Sequence, residues 1–411
     1  MIIVIGGGAA GMMAACAAAE NGAKVTVIER NRLFGVKLNL TGKGRCNIAN
    51  DCDIPTLMKN ITCNGKFLYS AFSTMSPDMV MEYFERIGVP LKVERGNRVF
   101  PASDRAKDVT AALERELDRL QVRRIHGRVM DIKVEDGAVC AVCLDDGRII
   151  GADAVILAAG GRSYPRTGSD GDGFRLARTL GHTITEPRPS LVPLVAEGEL
   201  PAQLEGLSLK NIRLTVMKET KEIFSDFGEL LFTAVGISGP LALSASAHLG
   251  RSHTFPYRAF IDLKPALDPD TLDRRLLRDF TQQQNRDFSN ALSGLLPAKL
   301  IPVVVMLSCI PPHIKVNSIT REQRQALCSL LKAMPLTLTA TGSWDEAVIT
   351  AGGISVREVL PNTMESKLVK HLYIAGEILD VDAYTGGFNL QIAWATGRCA
   401  GIAAAKGEQH A

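Results

Sequence analysis

Residues 2–29 run strand, glycine turn, helix, strand, acid, and that order leaves few folds open. IIVI at 2–5 is a continuous apolar run, the kind that forms a strand buried on both faces of a parallel sheet. Gly6-Gly7-Gly8-Ala9-Ala10-Gly11 follows at once and fits G-x-G-x-x-G. Residues 12–20 are rich in alanine and favour a helix, which Asn21-Gly22 ends. KVTVIE at 24–29 is a second strand and closes on Glu29. Gly6 permits the tight turn, Gly8 lets the backbone approach a pyrophosphate, and Gly11 lets the helix pack close on the strand. Ala9 and Ala10 lie in the turn and are expected cofactor contacts, and the helix amino terminus beyond offers free N–H groups and a positive dipole end to phosphate. Glu29 stands 18 residues after Gly11, where a carboxylate accepts hydrogen bonds from a ribose 2′-OH, and Arg30 lies beside it. The expected fold class is α/β, with a Rossmann-like dinucleotide-binding domain.

Residues 122–161 bear on which dinucleotide is bound. An NAD dehydrogenase would continue with alternating strands and helices. VRRIHGRVMDIKVEDGAVCAVCLDDGRIIGADAVILAAGG instead places Asp136-Gly137 and Asp146-Gly147 between alternating runs, which predicts an antiparallel meander. A meander crossing the sheet, then a strand ending Ala158-Ala159-Gly160, resembles the FAD-binding half of the two-dinucleotide-fold flavoproteins. Val129, Ala159 and Gly160 are the contacts expected there. The far end agrees. LYIAGEILDVDAYTGGFNLQIAWATGRCAGIAAA at 372–405 gives a strand ending in Gly376-Glu377, then Asp380 and Asp382, then Gly386-Gly387 and an apolar helix. In similar flavoproteins an acid after this strand binds the ribityl chain. The helix amino terminus, here Gly387, Asn389 and Leu390, faces the flavin and stabilises its reduced, negative form. The two ends of the chain are therefore expected to build one FAD site.

Composition narrows the function classes. Lys and Arg number 47 against 44 Asp and Glu, a net of +3, which argues against a broad nucleic-acid surface. Nine scattered Cys without framework spacing fit a reducing cytosol, and a cytoplasmic location is expected. Cys140 and Cys143 form C-x-x-C within a β-like run. Residues three apart on a strand point to opposite faces, so the pair is expected to be structural. The uncharged residues 1–19 have no basic segment before them and are broken by four Gly, and the apolar run 300–310 is short and holds Pro302. We expect neither a targeting segment nor membrane insertion. Seven His, including the pair His248 and His253, show no metal-ligand spacing.

Seven blocks, in order, carry a family resemblance: GGGAAGMMAA at 6–15, KLNLTGKGRCNIAN at 37–50, GGRSYPRTGSDGDGF at 160–174, GELLFTAVGISGP at 228–240, TAGGISVREV at 350–359, TMESKLV at 363–369, and IAGEILDVDAYTGGFNLQIAWATG at 374–397. Along nearly its whole length the chain resembles the bacterial aminoacetone-oxidase/BaiN-like FAD-dependent oxidoreductases. The resemblance implies FAD, and a β-barrel plus helical domain inserted into the Rossmann-like FAD domain. It also implies that residues 37–50 pass over the cofactor. Lys37, Thr41, Gly42, Arg45, Cys46 and Asn47 are then cofactor contacts, with Arg45 or Lys43 neutralising phosphate or reduced flavin. The alternative for this stretch is an exposed basic turn. Cys46 lacks the partner of a Cys-x-x-x-x-Cys redox disulfide. The family pattern is expected to carry His after Phe-Thr in the GELLFT block. Here it is Ala234, so any acid–base role of that His does not transfer.

The FAD domain is expected over 1–190 and 340–411, with an inserted substrate domain at 191–339 that leaves after Glu186-Pro187-Arg188-Pro189. Within the insertion, 191–264 and 310–339 are expected to be β-rich and 265–309 helical, with a further helix over 319–334. Arg162, Tyr164 and Arg166 follow a strand end, and Tyr384 and Phe388 flank a helix start. Both groups are candidate lining residues, with a purely structural loop as the alternative. Three readings of the activity stay open. NAD(P)H, as a transient electron donor, reduces the flavin, which reduces the C=C of an enone such as a 3-dehydro bile acid. Alternatively, an amine such as aminoacetone is oxidised at the expense of oxygen. In the third, FAD merely stabilises a binding or sensing protein. The partner expected is a small-molecule substrate.

Overall fold

The computed structural model describes residues 1–250 and 254–408. His253 and His410 therefore lie outside the described residues. The chain divides into two compact units, Met1–Ser190 with Trp344–Ala411, and Leu191–Ser343.

A five-stranded, all-parallel sheet organises the first unit, in the order Leu372–Ile374, Ala154–Leu157, β1 (Ile2–Ile5), β2 (Val25–Glu29), Arg123–His126. All four residues of β1 and all five of β2 are buried, as a parallel sheet covered on both faces requires. The edge strand Arg123–His126 instead exposes Arg123, Arg124 and His126, and the two arginine charges discourage another strand from adding there. Helix α1 (Ala9–Glu20) is buried at every position from 10 to 18, because it lies between the sheet and the carboxy-terminal helix Phe388–Glu408. The two helices touch through backbone: a Cβ on Gly397 would collide with the Ala10 carbonyl oxygen, and one on Gly401 with that of Ala14.

The meander is present as Val129–Glu135, Ala138–Leu144 and Ile149–Gly151. Asp136 and Gly137, at φ 50° and 77°, make its first turn. The structure corrects the strand alternation assumed across the C-x-x-C pair. Lys133 pairs with Ala141 and Val134 with Val139, so Cys140 is an extra, bulged residue. The bulge resets the alternation. Val139 and Val142, three apart, are both buried, and Cys140 and Cys143 are both half-buried off that face. No group of three or more potential metal ligands occurs among the described residues.

The second unit is a closed six-stranded barrel with helices. Its strands run Leu194–Ala196, Gly236–Ser238, Lys221–Thr233, Ser208–Lys218, Tyr257–Asp262, Met334–Thr341, and the last pairs with the first. Leu214, Val216, Phe232, Ile261 and Leu338 fill its core. Helices Pro269–Gln282, Ile301–Ser308 and Arg321–Lys332 accompany it. Residues 310–339 are thus not chiefly β-rich, since only Met334–Thr341 is a strand there. A capping box between Thr320 and Gln323 starts the 12-residue helix Arg321–Lys332 that is the longest element wholly within this stretch. Among the described residues no helix is long and apolar enough to cross a membrane.

A Ser–His–Glu chain lies within the first unit. His182 Nδ1 is 3.2 Å from Glu358 Oε2, and its Nε2 is 2.9 Å from Ser366 Oγ. Ser366 is not available as a nucleophile. It is 5% exposed, and its oxygen already accepts the Leu368 and Val369 N–H groups at 3.0 Å each. The chain instead clamps three turns together. Burial, outweighing the Glu358 carboxylate, holds the His182 pKa below the ordinary histidine value. The unfolded ring takes up a proton near pH ~6.5, and the folded ring only at lower pH. Between those values the unfolded state binds more protons, so stability is lost as pH falls through that interval. Thermal melts between pH 7.5 and 5 should show a steeper acid loss for the native chain than for His182→Gln. Parallel pH curves would contradict this.

Candidate cofactor site

The turn from β1 into α1 answers to two different constraints. Gly6, at φ +106°, sits against the Ala158 carbonyl, and a Cβ on Gly11 would overlap the Gly6 carbonyl oxygen. Those two glycines are required by the protein's own backbone. Gly8 is not, because a Cβ there would meet no atom within 4 Å. No side chain caps α1 at Gly8, and its first turn carries no acid, so the positive helix end faces an open cradle. At the end of β2, Glu29 is 8% exposed. Its Oε2 accepts the Gly7 N–H at 2.6 Å and its Oε1 that of Asn31 at 2.8 Å. The carboxylate is thereby fixed beside the glycine turn. An anion cradle with an acid at the neighbouring strand end fits a dinucleotide.

A segment crosses from the Ala154–Leu157 strand to β2. Arg30 pairs with Asp170 at 2.7 Å, the Asn31 amide donates to the Thr167 carbonyl at 2.9 Å, and Ser169 abuts Gly160, which sits at φ +74°. Arg30 is therefore already compensated by a carboxylate. Val129 opens the meander and is buried opposite Leu144.

Beyond the glycine turn, two strand ends converge on one ion pair. Lys37 Nζ lies 2.5 Å from Glu377 Oε2 and 2.5 Å from Ser163 Oγ. Glu377 Oε1 accepts from Ser163 Oγ at 2.7 Å and from the Thr350 N–H at 2.8 Å. The two charged side chains are 22% and 23% exposed. Burial pushes the Glu377 carboxyl up. The Lys37 charge and the three hydrogen bonds outweigh it and hold the group below the ordinary carboxylate range. Asp380 accepts from Thr185 Oγ1 at 3.0 Å and faces the Cys63 thiol. Gly376, at φ +83°, has no room for a Cβ against Ala10.

The 37–50 stretch is held by its own contacts. Gly42 and Cys46 adopt left-handed φ, Thr41 Oγ1 donates to the Leu38 carbonyl at 2.7 Å, and burial pushes the Cys46 thiol up to about 12. Arg45 does not offer a spare cation: it pairs with Glu94 and Asp104 and stacks 4.0 Å over Phe100. The Asn47 amide, oriented to satisfy all three groups, joins the Ala49 and Val99 carbonyls to the Gly387 N–H at 3.0–3.1 Å. Asn389 is spent on the backbone of Ala383 and Tyr384, so it shapes the approach to the carboxy-terminal helix, where Leu390 is half-buried. Arg162 stacks 5.0 Å from Trp344, Tyr164 takes a left-handed φ, and the Arg166 side chain is 90% exposed. Ala234 sits in an exposed turn of the second unit. Sequence reasoning missed Ser163 and Thr350. Each lies in a block quoted above, but nothing local tells that residues 187 apart share one carboxylate with Glu377.

Residues 1–403 match the family described as HI0933-like protein Rossmann domain. The 3-dehydro-bile acid delta(4,6)-reductase of Clostridium scindens is 33% identical over 395 residues, covering 94% of each chain. A ribosomal RNA dihydrouridine synthase of Escherichia coli is 28% identical over 396 residues, 96% of this chain and 95% of that one. Among solved structures, a 3-ketosteroid-delta4-(5alpha)-dehydrogenase from Rhodococcus jostii shares the fold at TM-score 0.50 and 17% identity, covering 98% of this chain and 96% of that one.

Proposed function

The chain belongs to the HI0933-like Rossmann-domain family, and on that premise we propose that it is an FAD-dependent oxidoreductase reducing a C=C bond conjugated to a carbonyl. The observation that carries the reading is the shared chemistry of two kinds of full-length relative. A delta(4,6)-reductase of a 3-dehydro steroid acid and a dihydrouridine synthase both name hydrogenation of a double bond in conjugation with a carbonyl. The balance is one hydride to the β-carbon, one proton to the α-carbon, and oxidation of NAD(P)H to NAD(P)+. Bound FAD supplies the hydride relay between donor and substrate.

The chain's own residues bind and orient. The N–H groups at the start of α1, with Gly8 out of the way, take the pyrophosphate, and Glu29 takes the ribose. The carboxy-terminal helix, with Gly387 against Ala49, brings its positive end to the flavin. Residues 191–343 carry 16 Lys and Arg against 14 Asp and Glu, a net of +2. That balance favours a small enone over ribosomal RNA, the second reading that the E. coli relative raises.

Anaerobic titration of the FAD-loaded protein tests this. NADH or NADPH should bleach the flavin, and a 3-oxo-4-ene steroid acid should restore its colour. Bleaching by aminoacetone with recovery only in air would replace the reductase with an amine oxidase. No bleaching by any donor would sink both. Loss of dihydrouridine from ribosomal RNA in a deletion strain would move the substrate to RNA. Glu29→Ala should raise the FAD dissociation constant by roughly 10- to 150-fold, matching ~1.5–3 kcal/mol for hydrogen bonds to a charged group. Equal affinity in a fluorescence titration would remove Glu29 from the site.

A further inference from the structure

The strand order of the sheet reads as an address along the dinucleotide. Glu29 ends β2, the phosphate turn ends β1, and the next two strands are Ala154–Leu157 and Leu372–Ile374. Strands are about 4.8 Å apart, so the last of these lies roughly 10 Å from β1, on the side away from the ribose acid. That is where the redox ring of a dinucleotide laid across the strand ends belongs. At this place the chain puts Ser163, just past the end of Ala154–Leu157, and Glu377, just past the end of Leu372–Ile374. Lys37 is bound to both, and no other cation among the described residues forms an ion pair with Glu377.

Lys37 has three N–H donors. Ser163 and Glu377 take two of them. The third has no acceptor among the described residues, on a side chain 22% exposed. Glu377 already accepts from Lys37 on Oε2 and from Ser163 and Thr350 on Oε1, so it is held in place by three donors of the protein. The cations singled out in the sequence for neutralising reduced flavin were Arg45 and Lys43. Arg45 is committed to Glu94 and Asp104, and Lys43 is exposed.

Resting on the FAD reading above, we propose that Lys37 is the cation that stabilises the reduced flavin, and that Glu377 and Ser163 are positioning residues that aim it. Two-electron reduction adds negative charge to the ring, and a fixed ammonium in a half-dry crevice opposes that charge at no cost of reorganisation. The Glu377 carboxylate sets the limit of the effect by compensating part of the lysine's charge.

The test is the flavin midpoint potential, measured by equilibration with a reference dye in the native chain, Lys37→Met and Glu377→Gln. Lys37→Met removes the cation and leaves an acid, so the potential should fall. Glu377→Gln leaves the cation uncompensated, so it should rise. Each shift should be a roughly tenfold change in the oxidised-to-reduced ratio, ~30 mV for a two-electron couple. Lys37→Arg should stay near the native value. A structural role would move both variants the same way or neither, and either result overturns the proposal. If Lys37→Met does not fold, Glu377→Gln decides: a raised potential supports the assignment, and an unchanged or lowered one overturns it. A native chain that takes up no flavin defeats the FAD reading itself, a result distinct from either.

Discussion

Gly8→Val is expected to leave the apoprotein folded and to empty it of flavin. Gly8 has φ −82° and ψ −171°, extended values that valine adopts without strain. Its Cβ would meet nothing within 4 Å, so the branch point of the side chain has open space. The apoprotein should keep its stability to within about 1 kcal/mol, the small loss coming from a poorer residue at the helix start. The same side chain fills the space a pyrophosphate needs against the α1 N–H groups. The FAD dissociation constant should rise at least ~100-fold, about 2.7 kcal/mol. Matched melts of the two apoproteins and a flavin fluorescence titration measure both halves. If Gly8→Val binds FAD like the native chain, the cradle is not where the phosphates lie.

Gly397→Leu should have the opposite profile and fail in the apoprotein itself. Gly397 faces the Ala10 carbonyl, and Gly401 one turn later faces that of Ala14, so the carboxy-terminal helix lies on α1 backbone to backbone. A leucine cannot be relieved by a rotamer change, because the obstacle is main chain. Relief requires parting two helices whose facing residues are all buried. Overpacking a core ordinarily costs ~1–3 kcal/mol, and a main-chain collision belongs at or above the top of that range. Against a total stability of order 5–15 kcal/mol, that removes roughly a fifth to more than half of the margin, so the melt should fall well below the native one. Soluble expression and a thermal melt decide it: a melt within a few degrees of native would show that the helices do not pack as described.

The sequence made the parallel sheet legible because its signals are local. IIVI before the glycines, KVTVIE ending in Glu29, and AVIL ending in Ala-Ala-Gly each announce a buried strand leading to a turn. The two Asp-Gly turns did the same for the meander. The opposite faces expected for Cys140 and Cys143 fail because alternation assumes an unbroken ladder, and the bulge at Cys140 is set by the pairing of Lys133 with Ala141 and Val134 with Val139 on the partner strand. The helix at 321–332 is visible in its spacing, and only the β-rich label given to 310–339 as a whole misdescribes the stretch. In the site, Glu29 and the glycines were readable because spacing along one segment defines them. The role of Arg45 was not. Its partners Glu94 and Asp104 lie 49 and 59 residues away, and a cation in a glycine-rich loop looks the same whether free or paired. The Lys37–Ser163–Glu377–Thr350 cluster draws on four segments, and only the folded sheet brings them together.

Crystals grown with FAD give the most direct test of the claim that both termini hold one flavin nucleotide. The account predicts density for one FAD per chain, its pyrophosphate on the amino end of α1, its ribose at Glu29, and its ring at the strand ends beside Lys37 and the start of the carboxy-terminal helix. Side chains filling that crevice, or FAD bound elsewhere on the chain, would contradict it.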